Sequence, residues 1–274
     1  MNRLSTEERA QVVSALVEGV SIRSITRMYG YSKNTVAKLI VELGAACSQY
    51  MNEHLVNLLC KRVQVDEIWS FVYAKQKNVT PNMLSERVAG DVWTWVAIDA
   101  DTKLVCSWMV GQRDPITARD FIGDLAGRLT NRIQLTSDGL KTYLIAVDKA
   151  FGEDIDYAML VKVYGESSEG QKRYSPADCL GCNKEPKVGN PDPKYISTSY
   201  IERQNLTMRM SMRRFTRLTN AFSKKVENHI ASIAIHYMHY NYVRIHQTLR
   251  VTPAMAAGIT EKLWAVTDIC ALLP

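Results

Sequence analysis

Between Lys61 and Tyr164 the hydrophobic pattern changes period in the order strand, strand, strand, helix, strand, helix, strand, and few architectures accommodate that order. The first strand is read from RVQVDEIWSFVYAKQ, where Val63 and Val65 alternate before aromatic and β-branched residues. VWTWVAI and LVCSWMVG follow as a hairpin about the turn at 99–103. TARDFIGDLAGRL (117–129) has the spacing of an amphipathic helix, and IQLTS (133–137) that of a short strand. LKTYLIAVDKAF (140–151) reads as a helix and YAMLVKVY (157–164) as a strand. An antiparallel meander followed by strands alternating with helices predicts an α/β fold, a mixed sheet flanked by helices.

The flanks differ in character. Residues 165–197 hold four glycines and four prolines and read as an insertion or long loop. Beyond it, 198–218 and 223–246 are helical in pattern. At the other end, 5–18 reads as a helix capped by Ser5 or Thr6 and ended by Gly19. A short helix follows at Ser21–Tyr29, with Ile22, Ile25 and Met28 spaced to face inward. Gly30 and Tyr31 make a turn, and Ser32 caps KNTVAKLIVEL. This is the pattern of a helix-turn-helix. Lys33, Asn34, Thr35 and Lys38 stand where a recognition helix meets base edges and phosphates, and Arg23 and Arg27 add charge opposed only by Glu42. A three-helix bundle with a solvated polar face is the plainer alternative. The expected division is an all-α helix-turn-helix domain at 1–43, a helical linker at 44–60, the α/β domain at 61–220 and a helical region at 221–274.

Charge matters here through its distribution. The chain of 274 residues has 34 basic and 28 acidic residues, a net +6 that says little by itself. From Arg203 to Val226, however, Arg203, Arg209, Arg213, Arg214, Arg217, Lys224 and Lys225 meet no acid at all. Met208, Met212 and Phe215 lie at helical spacing and read as the face that docks on the sheet, leaving most of the basic side chains toward DNA. The first residues lack the apolar core of a signal peptide, and no run approaches the ~18 apolar residues of a membrane span. A cytoplasmic protein with reduced thiols is expected. Cys47, Cys60, Cys106 and Cys270 read as core residues. Cys179 and Cys182 form a C-x-x-C with no second pair, so zinc would need ligands from a dimer mate. His229, His236, His239 and His246 read as packing or DNA-backbone residues. Trp93, Trp95 and Trp108 read as hairpin core or platform, with the splaying of a flipped base as the alternative.

Three acids attract attention on their positions alone. Asp66 lies in an apolar strand, where an isolated carboxylate needs a partner or a metal. Its neighbour Glu67 points to the opposite strand face, so at most one of the two is expected at a given site. Asp138 follows a strand and precedes Gly139, which would permit a sharp turn, at the carboxyl end where α/β sheets bind ligands. Glu202 opens a helix. Converging carboxylates repel unless a cation is present, and oxygen-only ligands suit Mg²⁺ or Mn²⁺. The alternative is that Asp66 and Asp138 cap turns and Glu202 caps a helix or pairs with Arg203.

DEIWSFV (66–72), SDGLKTY (137–143) and IERQNLTMRMSMRRFTRLTNAFS (201–223) together resemble the DDE transposases of bacterial insertion sequences, in particular the family founded by insertion sequence one. The blocks stand in the family's order, and the likeness covers roughly 61–245. The tail YNYVRIHQTL (240–249) is similar to that of integrase-like transposases. The resemblance implies a ribonuclease-H-like catalytic fold. It implies Asp66, Asp138 and Glu202 as catalytic ligands of two Mg²⁺ (or Mn²⁺) ions, and Arg209 holding a phosphate beside them. It further implies nicking of double-stranded DNA at transposon ends and attack of the freed 3′-hydroxyls on target DNA. Pairing two ends would need a homodimer or larger assembly, and the setting would be the bacterial cytoplasm and nucleoid. A DNA-binding regulator derived from a transposase, and a ribonuclease-H-like nuclease or resolvase, are the alternatives. The sequence departs from the family in its long Asp138–Glu202 gap and in lacking cysteines before the helix-turn-helix pattern.

Overall fold

The computed structural model describes residues 4–86, 89–165, 179–216 and 220–274. Three helices come first: α1 (Thr6–Val17), α2 (Ile22–Tyr29) and α3 (Lys33–His54). Each is started by a serine. Ser5 forms a reciprocal capping box with Glu8, and Ser21 and Ser32 accept from the backbone N–H groups of Ser24 and Thr35. Gly30 ends α2 in the left-handed conformation, φ 76°. Ile25 is buried as its spacing requires, but Met28 is 59% exposed, so only part of the expected inner face of α2 is covered. α3 runs without a break into the segment expected as a helical linker, 44–60, and ends within it at His54.

The sheet and its helices follow: β1 (Arg62–Val72), α4 (Pro81–Glu86), β2 (Gly90–Asp99), β3 (Val105–Gly111), α5 (Pro115–Arg128), β4 (Gln134–Ser137), α6 (Thr142–Phe151), β5 (Asp156–Tyr164) and β6 (Cys179–Val188). α7 (Ser199–Ser211), α8 (Val226–Tyr242), α9 (Pro253–Ala256) and α10 (Val266–Cys270) complete the chain. The strand order is β3-β2-β1-β4-β5-β6. β3, β2 and β1 form the antiparallel meander, β4 lies parallel to both β1 and β5, and β6 returns antiparallel on β5. A six-stranded mixed sheet flanked by helices is compatible with a ribonuclease-H-like fold. The expected insertion is more than a loop: its second half supplies the edge strand β6, whose composition hides it because few of its side chains are buried.

Alternation along β1 separates two sheet faces. On the face of Glu67, Trp95 packs on Phe121 of α5 and Tyr143 of α6. On the face of Asp66, Trp108 packs on Tyr237 of α8, and the side-chain amide of Asn241 exchanges hydrogen bonds with the backbone of Val105. α8 is buried on nearly every side because α3 lies over its outer face. The two helices approach closely at Gly44, where a Cβ would stand 2.4 Å from the Cα of Ala231. The buried residues of α1, α3, α8 and α10 belong to the same core as the sheet. Cys47, Cys60, Cys106 and Cys270 are free and buried within it. Among the described residues no helix is long and apolar enough to cross a membrane.

Candidate active site

The β1–β4 ladder stops at Gln64↔Thr136, and β4 itself ends at Ser137. β1 continues past Gln64, and from Val65 to Phe71 no described strand pairs with it on that side; Ser223 bridges only its last residue, Val72. A notch therefore opens at the carboxyl end of β4, which is where open α/β sheets bind ligands. Asp66 and Glu67 reach it from opposite faces of β1, and Asp138 reaches it from the end of β4. Carboxylate oxygens of all three lie within 4.8 Å of one another. This corrects the expectation that Asp66 and Glu67 exclude each other: alternation separates side chains across a continuous sheet, not at an edge around which both can bend. Gly139 has no left-handed backbone either. The turn is made instead by Asp138, whose Oδ1 accepts from the N–H of Leu140 at 2.9 Å.

The three acids sit against their own repulsion. Burial, then the charge of Asp138, pushes the Asp66 carboxyl up to about 6, with Glu202 adding to it. Burial, then Asp138, pushes Glu67 up to about 7, while the nearby Tyr143 hydroxyl and Arg113 act the other way. Arg113 donates from Nε to Glu67 at 3.2 Å and lies 3.9 Å from Asp138. One guanidinium does not balance three carboxylates. Glu67 Oε1 and the Tyr143 hydroxyl are both buried and lie near each other, and neither completes a hydrogen bond of good geometry with the described residues. An oxygen-only donor set with an unused buried oxygen fits a hard divalent cation.

α7 brings Glu202 to the Asp66 face. The side-chain oxygen of Gln64 accepts from the backbone N–H groups of Tyr200 and Ile201, at 2.9 and 3.1 Å, and so fixes the start of α7 on β1. Asn205 donates to Asp66 Oδ2 at 2.8 Å. Glu202 is half-exposed; Lys162 of β5 pairs with it at 2.6 Å, and the Thr198 hydroxyl donates to it. Burial lowers the pKa of Lys162, but the hydrogen bond and charge of Glu202 outweigh it and the net shift is upward. Glu202 lies outside the 4.8 Å group yet close enough to act on Asp66.

Met208, Met212 and Phe215 are buried, as expected of the docking face. Arg203, Arg213, Lys224 and Lys225 are exposed and Arg209 is half-exposed. Arg214 is engaged differently. Its guanidinium donates to Ser223, Ser223 bonds His229 Nδ1 at 3.3 Å, and His229 Nε2 bonds Ser70 at 3.0 Å. Ser70 donates on to the carbonyl of Val92. The chain closes with His229 neutral and its proton on Nε2, and burial, then Arg214, lowers that imidazole to about 3. Arg217 lies outside the described residues. Arg23, Arg27, Lys33, Asn34, Thr35 and Lys38 are all exposed on α2 and α3, with Lys38 3.6 Å from Glu42. Cys179 and Cys182 are exposed on β6, and no ligand group of the described residues includes them.

Sequence reasoning set Glu67 aside and missed Gln64, Arg113, Lys162 and Asn205. Only Asn205 carried a signal, standing three residues after Glu202 and so on the same helix face. The others depend on pairing across the sheet.

No protein-family model matches the chain, and no curated protein matches it. Among solved structures, a piggyBac transposase in a synaptic complex with hairpin DNA is similar at a TM-score of 0.39 and 11% identity, over 97% of this chain and 69% of that one. So loose a superposition carries no functional argument.

Proposed function

We propose that the chain is a DNA transposase of the DDE kind that its sequence resembles, with a ribonuclease-H-like catalytic domain. The observation that carries the reading is the notch beside β4, where Asp66, Glu67 and Asp138 converge and α7 sets Glu202 next to Asp66. Asp66, Asp138 and Glu202 would hold two Mg²⁺ or Mn²⁺ ions, with Glu67 as a further oxygen donor. Such ions activate a water or a 3′-hydroxyl and stabilise the leaving oxygen of a phosphodiester. The chain's own residues set the geometry. Asn205 holds the Asp66 carboxylate in one orientation, Lys162 and Thr198 hold Glu202, and Gln64 fixes the helix that carries Glu202 and Asn205.

DNA enters over the basic residues that follow Glu202. Arg209 stands seven residues, about two helical turns, from Glu202 and meets a phosphate beside the carboxylates. Arg203, Arg213, Lys224 and Lys225 extend that surface, whereas Arg214 is engaged by Ser223. Residues 1–43 act as a helix-turn-helix on the terminal inverted repeats through Arg23, Arg27, Lys33, Asn34, Thr35 and Lys38. Two ends are joined by at least a dimer, and the protein works in the bacterial cytoplasm on nucleoid DNA.

The test is strand transfer on DNA carrying the element's ends, with products sequenced. Asp138→Asn keeps end binding and loses joining. Joining retained by that variant rejects the site. Cutting without joining by the wild-type protein assigns it to the nucleases or resolvases, and end binding without either assigns it to regulators.

A further inference from the structure

On the Glu67 face, β1 carries two more rings beyond the notch, Trp69 and Phe71. Trp69 is the register partner of Trp93 on β2. Ring centroids lie 5.8 Å apart from Trp69 to Phe71, and 5.0 Å apart from Phe71 to Phe222. All four rings are partly exposed. Trp69, Phe71 and Phe222 pack against neither buried cluster of the described residues. Phe222 is brought there by the segment before α8, which pairs with the end of β1 through Val72↔Ser223.

Cations flank this row. Arg113, already on Glu67 and Asp138, lies 4.8 Å over the Trp93 ring, and Lys75 lies 5.8 Å from the Phe71 ring. Lys224 and Lys225 are exposed just past Phe222. The acid within the row, Asp91, accepts from the backbone N–H of Gln76 at 3.1 Å. The row thus starts at the carboxylate cluster, through Arg113, and runs away from it along β1.

We propose that this aromatic row binds the unpaired bases of a single DNA strand leading from the carboxylate cluster. The inference rests on the DNA-cutting reading of that cluster. Its occupant follows from chemistry: a contiguous row of partly exposed rings, tilted 36° and 34° to one another, offers its outer faces to bases, and the flanking cations suit phosphates. A duplex keeps its base faces covered and would use the cations alone. Opening the strand beside the cluster would present the scissile phosphate without its complement.

The test uses the full-length chain without divalent metal, so that nothing is cut. Binding of oligothymidylate and of a duplex of equal length is measured by fluorescence anisotropy. Stacking is read from a fluorescent adenine analogue placed within the single strand. The wild-type protein quenches the analogue. Trp69→Ala with Phe71→Ala weakens single-strand binding about tenfold or more, leaves duplex binding within about twofold and restores the analogue's emission. Trp69→Phe retains quenching, which separates stacking from loss of fold. Equal weakening on both DNAs, unchanged single-strand affinity, or an unquenched analogue overturns the proposal. Asp138→Asn is expected to quench like the wild type. A wild-type protein that stacks the strand but never cuts DNA would sink the catalytic reading alone. One that cuts without stacking would sink the row alone.

Discussion

Glu67 is a buried carboxylate with two like charges and one arginine as neighbours. Its folded value, about 7, lies above the ordinary glutamate value of 4.5. A raised acid binds more protons folded than unfolded, so stability falls as pH rises from about 4.5 to about 7, and the cost is full above that. At about 1.4 kcal/mol per unit the cost is on the order of 3 kcal/mol, shared with the coupled Asp66. Glu67→Gln removes it. Thermal denaturation in a metal chelator is expected to find the variant more stable than wild type at pH near 8 and nearly equal at pH near 4. Parallel pH curves would show that Glu67 is not strained by its neighbours. A divalent cation is expected to narrow the gap at the higher pH, because it binds the ionised form that repulsion disfavours.

Helix α3 presents the opposite balance, packing against propensity. Gly44 costs the helix about 1 kcal/mol relative to alanine. An alanine Cβ, however, would meet the Ala231 Cα at 2.4 Å and its carbonyl oxygen at 2.5 Å, both backbone atoms that cannot step aside. Parting α3 from α8 costs about 1–3 kcal/mol in a packed core, so Gly44→Ala is expected to destabilise despite better propensity. A urea midpoint that rises for this variant would contradict the close contact. The type of α1, α2, α5, α6 and β1–β5, and the serine caps of α1 and α3, were legible because local signals agree there. β6 was not, since an edge strand with few buried side chains lacks the alternation that marks a half-buried one. Met28 misled for the converse reason: helical spacing says which residues share a face, not whether anything covers it.

At the scale of the molecule, the two halves of the sequence meet in one core. α3 continues past the helix-turn-helix pattern and packs on α8, and α1 rests on α10, so the first helices share buried residues with the sheet. The acids at 66 and 138 could be singled out by eye, one for its apolar strand and the other for its place after β4. Their convergence with Glu67 could not, because it depends on β4 stopping short of β1. Arg214 likewise reads as one cation of a basic run, and only Ser223 and His229 reveal its inward engagement. The central claim is that the notch is a metal-dependent phosphodiester-cutting centre. The measurement that bears on it most directly is nicking of supercoiled DNA with and without Mn²⁺, by wild type and by Asp66→Asn. The account predicts nicking that requires the metal and is lost in the variant while DNA affinity is kept. Metal-independent nicking, or equal nicking by Asp66→Asn, would contradict it.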